Sequence, residues 1–127
     1  MNENRRSNES NFYCWKLCGS IASVINVPKE EVYRQIIKET GIFEVIPIRD
    51  ESVKRFVKEW TSKGTGNVCE VMGKSKLFGY TNVKIYFGTS SYNSKEMNKF
   101  IEILRKRGQS VGVDVYTLEE IMNLNGR

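Results

Sequence analysis

The chain has 127 residues, of which 20 are lysine or arginine, 15 are aspartate or glutamate and none is histidine. This length predicts a single domain over residues 1–127 with a modest core, and the mild positive charge favours acidic partners such as nucleic acid. The absence of histidine excludes hydrolysis through a histidine base and leaves the cysteines without enough good partner ligands for zinc.

The cysteines and the N-terminal residues predict the cellular compartment. The first residues are polar and mixed in charge, unlike a secretory or transit peptide. Together with an odd number of cysteines, this predicts free thiols in a reducing, cytoplasmic environment. Cys14 and Cys18 lie one helical turn apart and are predicted to be small buried hydrophobic residues. Since no apolar run approaches membrane-spanning length, we expect a soluble protein.

The first predicted element is a long helix. Residues 1–6 are polar and expected to be flexible, and Ser7 or Asn8 is a suitable cap for a helix that runs to about Ile25. Apolar residues recur at helical spacing and predict an inward face of Phe12, Trp15, Cys18, Ala22 and Ile25. Further apolar residues widen this face, so the helix is expected to pack on more than one side.

A second helix and a short strand follow. Pro28 suits the first helical position, acidic residues follow it in the first turn, and Gly41 is a typical helix end. The inward residues of this helix are predicted to be Val32, Ile36 and Ile37. The β-branched and aromatic residues 42–46 then predict a strand that Pro47 stops.

The middle of the chain predicts a third helix and two more strands. Asp50 is the predicted cap of this helix, whose apolar face is Val53, Phe56, Val57 and Trp60. Residues 67–72 read as a strand and residues 73–76 as a turn. Residues 81–87 alternate, so one face is predicted to carry Val83, Ile85 and Phe87 and the other Asn82, Lys84 and Tyr86.

Two capping boxes predict the last helices. Asn93 with Glu96 opens a helix that ends at Gly108 or Gly112, and residues 117–120 open a short final helix. Residues 113 and 115 are expected to form a short strand or a buried connector. The sequence therefore predicts an α+β fold, with about four to five helices packed around a small two- to three-stranded antiparallel sheet.

Candidate nucleic-acid contacts lie at the start of the first helix and on the alternating strand. An arginine, a serine and an asparagine near a helix N-terminus suit phosphate and base contact. On the sheet, Lys74, Lys76 and Lys84 could hold phosphates while Tyr86 stacks a base. A solvated sheet face without a ligand explains the second pattern equally well.

Catalytic motifs are weak. A metal-dependent nuclease needs converging carboxylates near a lysine, and the sequence offers Glu70 near Lys74 without a second acidic residue on the neighbouring strand. Residues 64–66 and 73–75 faintly resemble phosphate loops but lack the P-loop spacing. We therefore expect no enzyme activity.

The opening motif resembles a known family. The run Arg6-Ser7-x-x-Ser10-Asn11-x-x-x-Trp15 is similar to the Arg-Ser/Thr-x-x-Gln-Asn-x-x-x-Trp opening of the phage NinB family, the Orf-like recombination proteins. Ser10 stands where the family usually has glutamine. Better-known members carry an N-terminal β-rich segment ahead of the motif, so the chain resembles an N-terminally shortened member.

A second segment carries the same resemblance. In that family, a serine-rich loop precedes a helix with Glu-Met/Phe and Ile/Leu-Glu/Asp, and a Gly-Val pair follows. The chain is similar in order and spacing over most of residues 5–121, through Gly88-Thr89-Ser90-Ser91-Tyr92, Glu96-Met97, Phe100-Ile101-Glu102 and Gly112-Val113.

The resemblance implies a phage or prophage protein of homologous recombination. Such a protein binds single-stranded DNA as a homodimer, contacts the single-strand-binding protein and helps to load a recombinase, without cleaving DNA and without a cofactor. The preferred hypothesis is thus a non-enzymatic recombination mediator. Its predicted nucleic-acid-binding residues are Arg5, Arg6, Ser7, Asn11, Lys74, Lys76, Lys84, Tyr86, Ser90, Ser91 and Tyr92, which are expected to converge into one cradle.

Two other functions stay open. The chain is alternatively a protein-binding module that inhibits a host or phage protein, including CRISPR effectors, with Leu77, Phe78 and Tyr80 as anchors. A third hypothesis is a small metal-dependent nuclease that uses Glu70.

Overall fold

The computed structural model describes residues 8–115, with side chains from residue 11 onward. This described chain contains four α-helices and a three-stranded antiparallel sheet, which confirms the predicted α+β class. The elements are α1 (Asn8–Ile25), α2 (Lys29–Thr40), β1 (Phe43–Arg49), α3 (Val53–Ser62), β2 (Cys69–Lys74), β3 (Tyr80–Tyr86) and α4 (Ser94–Ser110). Short 3-10 turns lie at Asp50–Ser52 and Thr89–Ser91. The predicted helix from residue 117 lies outside the described residues.

Helices α1, α2 and α4 pack against one another around a largely apolar centre. The largest of its fully buried side chains are Phe100, Ile21, Ile36, Ile37, Met97 and Leu104. Cys14 and Cys18 are buried among them, as predicted. The predicted inward positions of Phe12 and Ile25 are wrong, because these side chains are 51% and 39% exposed. Apolar residues occur around most of α1, so packing rather than spacing selects the face that is buried.

Local capping explains where α2 and α4 begin and end. Gly41 adopts the left-handed conformation (φ +77°), and its N–H donates to the carbonyl of Ile37. The capping box at the start of α4 is confirmed, since the Glu96 N–H donates to Asn93 Oδ1 at 2.8 Å and the Asn93 N–H donates to Glu96 Oε1 at 2.9 Å. Of the two glycines predicted to end α4, Gly112 does so: it follows the cap residue Val111 with a positive φ of +81°, whereas the helix continues past Gly108 to Ser110.

The glycine inside α4 has a packing reason instead. A Cβ at Gly108 would lie 2.9 Å from a methyl group of Val115, and 3.4 Å and 3.5 Å from the terminal methyl groups of Leu17 and Ile21. The missing side chain therefore leaves room for Val115 and lets α4 approach α1 closely. Val113 and Val115 pack against the same core as a connector.

The sheet has the order β1-β3-β2, so β1 and β2 are its edges. The prediction that β1 stops at Pro47 is wrong. The strand pairs with β3 as far as Arg49, which lies opposite Tyr80. An edge strand tolerates proline, because one side of it needs no N–H donor for the sheet. Asp50 likewise does not cap α3 with its side chain. Its carboxylate accepts hydrogen bonds from Thr81 at 2.7 Å and from Lys74 at 3.0 Å.

The two faces of the sheet differ in what covers them. Helix α3 packs against β1 and β2, and Val83 and Ile85 on that side are 0% and 7% exposed. Trp60 of α3 fixes this packing, because its ring meets Phe87 edge-on and its N–H donates to the Val68 carbonyl. We call this side the covered face. The side chains that alternate with it form the open face. These are Phe43, Val45, Pro47 and Arg49 on β1, Tyr80, Asn82, Lys84 and Tyr86 on β3, and Glu70 on β2.

None of the helices in residues 8–115 is long and apolar enough to cross a membrane.

Candidate nucleic-acid interface

The open face carries two pairs of a cation and an aromatic ring. The Arg49 guanidinium carbon lies 5.6 Å from the ring centre of Tyr80, its direct partner across β1 and β3. The Lys84 ammonium lies 4.5 Å from the ring centre of Phe43, a diagonal neighbour on the same face. Each pair therefore places a positive charge beside a ring, which is the combination that phosphate and base contacts require.

The space between the pairs is polar and accessible. Asn82 lies between Tyr80 and Lys84 on β3 and is half-buried. Phe43 and Val45 are each 43% exposed on the neighbouring edge strand. The open face thus offers rings, cations and one amide along a single strand direction.

A carboxylate network lies on the open face, beside Lys84. Glu70 lies opposite Lys84, its Oε2 is 3.3 Å from the ammonium of Lys38, and its Oε1 accepts a hydrogen bond from the Tyr86 hydroxyl at 3.1 Å. Partial burial acts to raise the pKa of Glu70, but the hydrogen bonds from Tyr86 and Lys38 and the charges of Lys38 and Lys84 lower it below its usual value. Glu70 is therefore ionised at neutral pH and is balanced by Lys38, so Lys84 and Arg49 leave the open face positive.

Tyr86 belongs to this network and not to a binding surface. Its side chain is 4% exposed, and its ring packs 5.7 Å from that of Phe43. Burial, followed by the hydrogen bond to Glu70, raises the pKa of Tyr86 to about 12. The hydroxyl therefore remains a donor to Glu70 at physiological pH.

The predicted stacking roles of Tyr86 and Tyr92 are wrong for this reason. Tyr92 is also 4% exposed, and its ring meets Phe100 edge-on in the helical core. Strand alternation predicted that Tyr86 faces solvent. This prediction fails at the end of β3, because the helical core covers one side of the strand there and α3 covers the other. The consecutive residues Ile85 and Tyr86 are therefore both buried.

The three predicted lysines do not line up. Lys84 is on the open face, whereas Lys74 pairs with Thr81 across β2 and β3 and therefore projects from the covered face, where it contacts Asp50. Lys76 lies in the turn between β2 and β3 and is exposed. The prediction that these lysines converge into one cradle is therefore wrong, because they are divided between two faces of the sheet and a turn.

Of the remaining predicted residues, those that the structure describes lie outside the strands of the sheet. Ser90 and Ser91 are exposed in the second 3-10 turn, where the Ser91 hydroxyl donates to the Gly88 carbonyl at 2.9 Å. Arg5, Arg6 and Ser7 fall outside the described residues. Asn11 lies on α1 and lines a groove.

This groove is a second surface of rings and cations. It is an open cavity of about 490 Å³ between the starts of α1 and α2, and its lining is Asn11, Phe12, Trp15, Lys16 and Lys29. The Lys16 ammonium lies 5.8 Å from the ring centre of Phe12, and that of Lys29 lies 5.7 Å from Trp15. Trp15 is itself held by stacking on Tyr33, with ring centres 4.5 Å apart. Asn11 therefore lies among groups that suit the contact predicted for it.

Sequence reasoning missed Arg49 and Phe43. The sequence feature that could have identified Arg49 is the length of β1. Ending that strand at residue 46 left Arg49 in a loop, although continuing it to residue 49 places Arg49 opposite Tyr80. The pairing register was needed to place the cations beside the rings.

Within residues 8–115, no three histidine, cysteine, aspartate or glutamate side chains come together as a metal site would require. Compared with known proteins, the chain matches no family model, no curated protein and no solved structure.

Proposed function

We propose that this protein binds single-stranded DNA without cleaving it and that the open face of the sheet is the principal contact surface. The observation that carries this proposal is the pairing of Arg49 with Tyr80 and of Lys84 with Phe43 on one accessible face. Single strands expose the flat surfaces of their bases, whereas a duplex conceals them in its stack. Rings that contact bases beside cations that contact phosphates therefore favour the single strand.

The proposed biological role is that of a phage recombination mediator acting as a homodimer with a single-strand-binding protein or a recombinase. This role is supported by the motif Arg6-Ser7-x-x-Ser10-Asn11-x-x-x-Trp15 and by the segment around Ser90 and Ser91, which resemble the NinB family. The half-buried Asn11 in the groove is consistent with a ligand contact by this motif. Arg5 and Arg6 remain proposed phosphate contacts.

The first experiment measures DNA affinity by fluorescence anisotropy, with a single-stranded oligonucleotide and its duplex at two salt concentrations. We expect preference for the single strand, no dependence on base sequence and weaker binding at high salt. The double variant Arg49→Ala/Lys84→Ala is expected to lower the slope of log affinity against log salt by about 1.4, because each phosphate contact on a single strand contributes about 0.7.

A matched control keeps the charge change constant. Arg55 and Lys58 are exposed on α3, on the other side of the sheet, and their joint change to alanine also removes one arginine and one lysine. This control should retain the slope of the unmodified protein. Equal loss in both double variants would show that net charge, rather than the open face, governs binding.

A second experiment tests the N-terminal contacts with Arg5→Ala/Arg6→Ala. If these residues contact phosphates, the salt slope falls by a similar amount. Unchanged DNA affinity would remove Arg5 and Arg6 from the proposed site without affecting the open face.

A second candidate function is that of a protein-binding module. It is favoured by the exposure of Leu77 and Phe78, at 53% and 98%, in the turn between β2 and β3. Hydrophobic anchors of this kind support protein interfaces that persist in high salt. A partner that is retained at high salt, combined with no measurable binding to DNA, would favour this function over the first.

A further inference from the structure

The turn between β2 and β3 presents an aromatic ring to solvent. We call residues 75–79 the hairpin tip. Phe78 is 98% exposed there, which is far above the exposure of the other large hydrophobic side chains in the described chain. Leu77 beside it is 53% exposed. Single apolar side chains on a surface are ordinary, but two adjacent ones at the apex of a turn form a compact apolar point.

The hairpin tip is held in position by hydrogen bonds. The Ser75 N–H donates to the Tyr80 carbonyl at 3.0 Å, and the Tyr80 N–H donates back to the Leu77 carbonyl at 3.1 Å. The Leu77 N–H donates to Ser75 Oγ at 3.0 Å. Gly79 adopts a positive φ of +84°, which lets the chain turn back into β3.

A further hydrogen bond ties the tip to the next element. The Asp50 N–H donates to the Gly79 carbonyl at 3.0 Å, which connects the tip to the turn that follows β1. These hydrogen bonds hold the backbone that carries Phe78. A ligand that meets Phe78 therefore does not have to order the turn on binding.

The charges around the hairpin tip suit phosphates. Lys74 and Lys76 both precede Leu77 and Phe78, and residues 74–79 contain no acidic side chain. The neighbouring carboxylate of Asp50 is engaged by Thr81 and Lys74. The hydrogen bond from Thr81, and then that from Lys74, lower the pKa of Asp50, so it remains ionised and paired. Lys76 is exposed beside the apolar point, which suits a base next to a phosphate backbone.

We propose that the hairpin tip is a wedge, in which Phe78 inserts between bases where a single strand meets a duplex. Apolar side chains that enter a base step unstack it partly, and a neighbouring lysine can hold the phosphate backbone beside it. Insertion is least costly where a base is already unpaired, which favours a junction over an intact duplex. This inference rests on the proposed function and specifies the DNA structure that the site recognises.

The hairpin tip lies next to one end of the open face. Tyr80 and Arg49 lie at the end of the sheet that is next to the tip, and the open face extends from there to Lys84 and Phe43. A single strand that leaves a junction at Phe78 would therefore continue directly onto the open face. The test also shows whether a protein or a membrane, rather than DNA, binds the same apolar point.

The test uses a forked oligonucleotide with 2-aminopurine at the junction, the matching single strand and a blunt duplex. The full chain is expected to bind the fork about tenfold more tightly than the blunt duplex, since stacking of one base on a ring contributes roughly that factor to affinity. Binding to the fork should also raise the 2-aminopurine fluorescence. Phe78→Ser should abolish both the preference and the fluorescence change. Its affinity for the single strand should fall by less than about threefold, because the open face is intact.

Two further variants separate the wedge from general effects. Phe78→Trp keeps a large ring at the tip and should restore the preference for the fork. Val24→Ser puts a serine at an exposed apolar position on α1, outside the groove, and should leave the preference unchanged, since Val24 is 56% exposed.

Each outcome decides one claim. A fork preference that survives Phe78→Ser overturns the wedge, as does strong single-strand binding without any fork preference in the unmodified protein. Absence of binding to every DNA contradicts the proposed function itself. Loss of vesicle or protein binding in Phe78→Ser, with DNA binding unchanged, would assign the tip to that other partner.

Discussion

The helical half and the sheet half of this protein use the same residue types in opposite ways. In the helical half, Tyr33, Tyr92 and Phe100 pack against one another out of contact with solvent. In the sheet half, Phe43, Phe78 and Tyr80 reach the surface, and cations accompany two of them. Burial of the first set stabilises the fold, so the second set is free to contact a ligand.

The two halves meet at a narrow junction that involves α2. The Tyr33 hydroxyl accepts a hydrogen bond from the Thr89 N–H at 2.9 Å and lies 2.9 Å from the Thr89 hydroxyl. Gly66, before β2, and Gly88, after β3, approach each other beside the same tyrosine. The position of the open face relative to the helices depends on this contact.

The largest expected effect compares the same substitution in the two halves. Phe100 is 0% exposed, and Phe100→Ala is expected to lower the free energy of unfolding by about 3–5 kcal/mol, because it removes buried apolar surface and leaves a cavity. Phe78→Ala should change it by less than about 0.5 kcal/mol, since Phe78 is already solvated. Urea unfolding followed by circular dichroism measures both. Similar losses in the two variants would contradict the assignment of stability to the helical half.

A smaller effect is expected at the junction. A Cβ at Gly66 would lie 2.5 Å from the Cα of Gly88, so Gly66→Ala requires the backbone to shift. We expect a loss of about 3 kcal/mol, at the upper end of the usual cost of overpacking. Gly64→Ala is the control, because the nearest atom to its Cβ is Asn67 Oδ1 at 3.6 Å. Thermal unfolding of the two variants distinguishes a close approach from a general intolerance of alanine in this loop.

The hydroxyl at the junction should contribute less than the close approach. Tyr33→Phe removes the acceptor of the buried Thr89 N–H, and an unsatisfied buried donor is expected to cost about 1–2 kcal/mol. Tyr80→Phe removes a hydroxyl from the half-exposed open face and should cost less than about 0.5 kcal/mol. Equal costs in urea unfolding would show that the Thr89 hydrogen bond does not hold the halves together.

The smallest expected effect concerns pH. The folded-state pKa of Glu70 lies below that of the unfolded chain, so ionised Glu70 stabilises the fold above the unfolded value, and this stabilisation is lost as pH falls through the folded value. The difference in melting temperature between the unmodified protein and Glu70→Gln should therefore be larger at pH 7 than at pH 3. Its size is modest, because the carboxylate is partly solvated. A difference that does not change with pH would remove Glu70 from the network with Tyr86 and Lys38.

Much of the fold could be predicted from local chemistry. The capping box of Asn93 and Glu96 and the left-handed Gly41 depend on neighbours in sequence, and both were predicted. The end of β1 was not predicted correctly. A strand tolerates Pro47 only at the edge of a sheet, and the sequence does not show that β1 is an edge strand. The lysines of the site were identified by type, but their separation into Lys74 on one face and Lys84 on the other followed from the register with β3.

The sequence by itself determined the α+β class, most element positions, the buried cysteines and the excess of positive charge, because these depend on composition and on short-range periodicity. The tertiary structure alone decided which aromatic residues are accessible: it buried Tyr86 and Tyr92 and left Phe43 and Phe78 exposed. The physical reason is that exposure depends on what packs against a residue from distant parts of the chain. Strand alternation describes two faces, but only the placement of α2, α3 and α4 determines where each face is covered.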